Sequence, residues 1–192
     1  MRDLATWSRW LHIYLSMFSF IIVLFFSVTG LTLNHVDWFP ESTVVSELKG
    51  SVNAKWVSVA DTAKIPKLDI VEQLRANHSI KGQLNDFRID EEEISISFQG
   101  PGYTADFFVN RADGKYELTE TNMGIIAVIN DLHKGRDTGK AWSAVIDFSA
   151  IFMIVISVTG LILLVFLKKK RTNGLLWLVI GGAVTLLFYL LV

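Results

Sequence analysis

Residues 10–33 read WLHIYLSMFSFIIVLFFSVTGLTL, 24 positions without a formal charge. A helix of that length rises about 36 Å, enough to cross a ~30 Å hydrocarbon core with some tilt. A cleaved signal peptide is the competing reading, but it needs an apolar stretch of only about 7–15 residues followed by a small-residue cleavage site. Thr32-Leu33-Asn34-His35 supplies no such site, so the stretch is read as an uncleaved anchor. Two further apolar runs lie downstream. Residues 141–167 are interrupted only by Asp147, and residues 175–192 contribute 18 apolar or small positions, just meeting the length criterion of about 18. With 51% hydrophobic residues among 192 gathered into three runs, a single soluble globule is excluded.

The flanks set an orientation. Arg2 and Arg9 precede the first span, and Lys168, Lys169, Lys170 and Arg171 fill the turn between the second and third. Lys and Arg in short flanks stay in the cytoplasm, whereas long loops translocate largely regardless of charge. Residues 1–9 and 168–174 are therefore expected in the cytoplasm, with residues 34–140 and the C-terminus outside. Trp7, Trp10, Trp38, Trp142 and Trp177 lie near the expected span ends, where indoles favour the headgroup layer.

From Val36 to Lys140 there are 17 acidic and 12 basic residues, a net of −5. Such a segment does not hold nucleic acid by general electrostatics. The absence of cysteine rules out disulfides, thiolate zinc, iron–sulfur clusters and covalently attached c-type haem. Within the outer segment, Leu68, Val71 and Leu74 follow Pro66 at helical spacing and predict a short helix to His78. Residues 84–89, 94–98, 103–109 and 115–118 alternate, are β-branched or aromatic, and are separated by Gly100-Pro101-Gly102 and Asn110-Arg111-Ala112-Asp113-Gly114. They predict an antiparallel sheet. Residues 123–133 predict an amphipathic helix near the membrane. The expected class is thus three transmembrane helices with a small extracytoplasmic α+β domain.

Chemistry-bearing side chains are few. Of four histidines, His12, His35 and His133 lie at or beside expected membrane boundaries, and imidazole is the usual axial ligand of non-covalent haem. His35 and His133 flank the outer domain, so adjacent helix ends would bring them to one iron. His12 stands 23 residues before His35, about 34 Å along a helix, and would need a second site. The plain alternative is that boundary histidines cap helices or touch headgroups; His78 reads as an ordinary surface residue. Ser16, Ser19, Ser27 and Gly30 fall within about 60° of His12 around the first span, a small polar stripe suited to a porphyrin edge or to helix packing. Ser143, Asp147, Ala150, Ile154 and Ser157 share a face of the second.

Asp147 lies about 9 Å inside that second span. An aspartate costs ~2.5–3.5 kcal/mol at a helix centre and less near the interface. Either it orients a ligating imidazole or relays a proton, or it makes a structural hydrogen bond. The run Asp90-Glu91-Glu92-Glu93 reads as a solvated turn, with attraction of ferric iron as the alternative. The pentapeptide Ser-Val-Thr-Gly-Leu occurs twice, at 27–31 and 157–161, on helices expected to run in opposite directions. Chance, a common packing need and duplication all account for it. No nucleotide-binding glycine loop, nucleophile elbow or zincin helix is present. Electrons for any redox role must therefore come from a membrane quinol or a cytoplasmic reductase.

Leu11-His12, Thr29-Gly30-Leu31, Leu132-His133-Lys134-Gly135 and Thr159-Gly160-Leu161, in that order, resemble the PepSY-associated transmembrane family, and Asn34-His35 is similar to the Asn-His of a short branch of it. The resemblance extends up to Arg171 and implies a PepSY-like outer domain. Larger members resemble b-type haem proteins of the bacterial inner membrane that reduce ferric iron or ferric siderophores in the periplasm. By that resemblance His12 and His133 match family histidines, His35 matches the short branch, and the expected cofactor is haem b. Larger relatives have four or more spans rather than three; a homodimer would restore the helix number and pair His12 across a two-fold axis. The rival readings are a membrane-anchored, non-catalytic interaction module and an accessory subunit of a metal importer.

Overall fold

The computed structural model describes residues 2–40 and 42–191. Residues 1, 41 and 192, which belong to the expected N-terminal segment, outer domain and third span, lie outside the described residues. Three helices are long and apolar enough to cross a membrane: α1 (Arg2–Asn34), with its apolar part from Thr6, α5 (Gly139–Phe166) and α6 (Arg171–Leu191). They coincide with the three apolar runs. The chain divides into two compact units, residues 1–25 with 146–192, and residues 26–145.

In the first unit α1 and α5 run antiparallel. Phe18 meets Phe152 edge-to-face at 5.2 Å, and His12 reaches Thr159. Ser8 and Ser19 of α1 and Ser149 and Thr159 of α5 are buried. On α5 the sheltered positions Ser149, Phe152, Ile156, Thr159 and Leu163 recur at three and four residues, the seam of helices crossing at a shallow angle. The face expected from sequence, Ser143 through Ser157, is exposed. Gly174 of α6 takes the side chain of Leu164, since a Cβ there would collide with it.

The second unit holds the sheet. Strands β1 (Val44–Ser51), β2 (Gln83–Ile89), β3 (Glu93–Gly100), β4 (Tyr103–Asn110) and β5 (Lys115–Asn122) form one antiparallel sheet in the order β1-β5-β4-β3-β2. Between β1 and β2 come the single turn α2 (Ala54–Val57) and α3 (Lys67–His78). Ile70, Val71 and Leu74 of α3 join the buried members of β3 (Ile94, Ile96, Phe98) and β4 (Ala105, Phe107, Val109) in one core. The period-two alternation of those strands is what aims every second side chain there. Among the described residues β1 is the strand absent from the sequence reading, and β5 continues four residues past its expected end to pair with it.

Arg111 closes the domain's far end. Its guanidinium donates to the carbonyls of Val57, Val59, Asp90 and Glu91. The acidic run is thus a turn held by its backbone. Tyr103 has a buried hydroxyl that makes no hydrogen bond among the described residues, and burial pushes its phenol up to about 12. An unfolded phenol ionises near 10, so the contribution of Tyr103 to stability is fully present below about pH 10 and is lost as pH rises toward 12. Replacing Tyr103 by Phe should abolish that alkaline loss and raise stability at neutral pH by about 1 kcal/mol, since an unsatisfied buried hydroxyl is removed. Thermal melts of the detergent-solubilised chain across pH 7–11 check both.

Candidate functional site

His12 occupies a seat on α5. Its Nδ1 lies 3.2 Å from Thr159 Oγ1, and Thr159 Oγ1 lies 2.9 Å from the carbonyl of Ile156 one turn back on the same helix. The next residue is Gly160, where a Cβ would stand 3.0 Å from His12 Cε1, so the missing side chain makes the room the imidazole uses. Thr159 is nine residues from Lys168, about 13 Å of helix rise. The imidazole therefore lies well inside the apolar length of α5.

His133 occupies a matching seat in the other unit. It is carried by α4 (Gly124–Lys134), and its Nδ1 is 2.6 Å from Thr29 Oγ1 of α1, which also approaches the carbonyl of Phe26 at 3.4 Å. Gly30 follows, with His133 Cε1 at 3.6 Å from where its Cβ would stand. The Phe26 ring meets the imidazole edge-to-face at 5.1 Å. One turn on, Thr32 donates to Asn130 Oδ1 at 2.7 Å, both residues buried. Gly135 ends α4 in the left-handed conformation (φ 69°), and the Arg136 N–H caps the carbonyl of Asp131. Asp131 is buried; its Oδ2 accepts from the Gly102 N–H at 2.8 Å and its Oδ1 from Arg136 at 2.6 Å. Trp142 donates its indole N–H to the carbonyl of Leu132 at 2.8 Å.

Neither His12 nor His133 makes a further hydrogen bond among the described residues, so among them the second ring nitrogen of each has no partner. His35 stands just past the end of α1, stacked on Trp38 with ring centroids 3.8 Å apart and its Nε2 at 3.3 Å from Asn34 Nδ2. His78 pairs with the Tyr116 hydroxyl at 2.6 Å beside the core, a structural contact. Asp147 is exposed on α5 and makes no hydrogen bond or ion pair among the described residues. Counting from the Leu164–Gly174 contact, Asp147 and Leu191 are each 17 residues away, so the carboxylate sits level with the last turn of α6. Among the described residues no three His, Cys, Asp or Glu side chains gather into a metal-binding group. Thr29, Thr159, Asn130, Asp131 and Arg136 were not singled out as site residues from sequence; the repeated pentapeptide was the signal for the two threonines.

A cleft of ≈ 500 Å³ opens between the 33–43 connection and α4. Leu33, Val36, Phe39 and Ile126 give it apolar walls, and Asn130 and Lys134 give it polar ends.

Replacing Asp131 by Ala strips the Gly102 N–H of its acceptor while Arg136, half exposed, returns to water. The expected cost is about 1–3 kcal/mol, read as a lower midpoint in thermal denaturation. The glycines should respond unequally. Gly30→Ala meets His133 at ordinary contact distance and gains up to about 1 kcal/mol of helix propensity. Gly160→Ala forces the His12 ring to shift, seen as a changed His12 Cε1–H resonance that Gly30→Ala leaves in place.

No curated protein and no solved structure matches the chain. The sequence model of the PepSY_TM-like family matches residues 6–192, which spans all three apolar helices, the sheet and both histidine seats. The chain belongs to the PepSY_TM-like family of membrane proteins.

Proposed function

We propose that this chain is a haem b-binding electron-transfer protein of the bacterial inner membrane, passing reducing equivalents to ferric iron or a ferric siderophore in the periplasm. The observation that carries the reading is the pair of seats. Two imidazoles, His12 on α1 and His133 on α4, are each held by one nitrogen against a threonine of a membrane-length helix, and the other nitrogen has no partner among the described residues. An ionisable side chain inside an apolar span is costly and by default functional. A ring bonded through one nitrogen is the usual state of a metal-ligating histidine.

The donor set fits haem: imidazole nitrogens and no thiolate, each ring given its seat by the adjacent glycine. Bound haem would supply a one-electron couple at the protein's operating potential. His12 and His133 would each hold a haem iron, with Thr159 and Thr29 behind them. His35 would join at the outer site only by leaving its stack on Trp38. A second copy related by two-fold symmetry would duplicate each ligand. The N-terminus and the Lys168–Arg171 turn would lie in the cytoplasm and residues 34–140 in the periplasm, by the distribution of Lys and Arg.

The cleft beside α4 favours a second reading, a membrane-anchored module that binds a ligand without redox chemistry. An optical spectrum with pyridine haemochrome quantification on protein made in haem-replete cells separates the two. The expected result is a Soret band with α and β bands on reduction, diminished in His12→Ala and in His133→Ala. A colourless wild-type protein overturns the haem reading in favour of the module.

A further inference from the structure

The two seats take their histidines from different elements, α1 and α4, yet they place the same atoms together. In each, the hydroxyl oxygen of a helical threonine lies between a carbonyl of its own helix and the Nδ1 of an imidazole from another element. A hydroxyl has one proton, and a carbonyl can only accept. With the hydroxyl proton of Thr159 on the Ile156 carbonyl, and that of Thr29 on a carbonyl of its own helix, each oxygen offers the ring a lone pair. The ring must then donate.

From this we infer that Thr159 and Thr29 are positioning residues that fix His12 and His133 as the Nδ1–H tautomer, leaving Nε2 in each ring as the atom with the free lone pair. The opposite tautomer would need the threonine hydroxyl to turn from its own helix carbonyl and donate to Nδ1, forfeiting the bond to that carbonyl. It would also leave an Nε2–H without an acceptor inside an apolar environment. Losing one such hydrogen bond shifts the tautomer ratio by roughly tenfold. The inference deepens the haem reading by naming the ligating atom and the residue that selects it, and it rests on that reading only for the identity of what Nε2 binds. It also gives the duplicated Ser-Val-Thr-Gly-Leu a chemical content: Thr orients the ring and Gly makes space for it.

Imidazole nitrogen shifts report the tautomer without any cofactor. The full chain, ¹⁵N-labelled at histidine, produced haem-free and held in detergent micelles near pH 8, should give protonated Nδ1 and bare Nε2 signals for His12 and His133. Thr159→Val should return His12, and Thr29→Val should return His133, to the Nε2–H form that free neutral imidazole side chains prefer. Thr→Ser at either position should restore the Nδ1–H signal. In haem-loaded protein the same Thr→Val changes should raise the midpoint potential, because a ring that no longer donates from Nδ1 is a poorer donor to ferric iron. An Nε2–H signal for either histidine in the wild type, or Nδ1–H signals that survive Thr→Val, would overturn the inference. A chain that shows Nδ1–H signals but never takes up haem overturns the haem reading and leaves the tautomer assignment standing.

Discussion

Everything on the His133 side depends on how α4 is held, and the buried carboxylate of Asp131 is its joint. That carboxylate ties the helix to the β3–β4 hairpin through the Gly102 N–H and to the chain leaving the helix through Arg136. Val128, one turn earlier on the same face, packs against Gly102, whose left-handed backbone (φ 63°) has no space for a side chain. Asn130 and His133 lie on a face rotated by about 160° from the Val128–Asp131 face, and that face meets Thr32 and Thr29 of α1. A helix of 11 residues thus works as a two-sided spacer. One side grips the sheet domain and the other delivers an imidazole to α1.

The seats show why one pentapeptide serves twice. A threonine in a helix can return its hydroxyl proton to a carbonyl of the preceding turn, so it enters an apolar interface without an unsatisfied donor. What remains exposed is an acceptor, which an imidazole N–H can use. Glycine at the next position lets the ring lie close to the helix surface. Close packing alone asks only for small residues; it does not ask for a hydroxyl oxygen at Nδ1 in both places. Each copy also takes its histidine from a different element, the 157–161 copy from α1 and the 27–31 copy from α4.

The three membrane helices, the core strands and α3 were legible in the sequence because each is fixed by local periodicity and by burial of a continuous apolar face. β1 was not. Its Val44, Val45 and Leu48 are exposed, and as an edge strand it has no alternation to display; what defines it is pairing with β5, about seventy residues away. The same limit governs the seats. His12 and Thr159 are 147 residues apart, and His133 and Thr29 are 104 apart. Composition could mark both histidines and both repeats as unusual without joining them. On α5, small residues at seam spacing occupy two different faces, so the pattern Ser143-Asp147-Ala150-Ile154-Ser157 was as good a candidate as the one that packs. Only the partner helix decides between such faces.

That choice of face changes which polar group in the membrane helices needs explaining. Phe148 to Leu167 is 20 residues without a charge, about the 30 Å of a hydrocarbon core. Asp147 therefore falls at the rim of that length, level with the end of α6, where water and headgroups can reach an exposed carboxylate. A carboxylate at a rim costs little. His12 has no such escape on that side, because Thr159 holds it nine residues from Lys168, the first charge past the other end of α5. A neutral imidazole can tolerate that depth if its single N–H is satisfied, which Thr159 does, but nothing in hydrogen bonding requires its second nitrogen to be there at all. Leu or Phe at position 12 would pack the same interface without a desolvated lone pair. A nitrogen at that depth, seated by a threonine and spaced by a glycine, is thus more than the packing of α1 on α5 asks for.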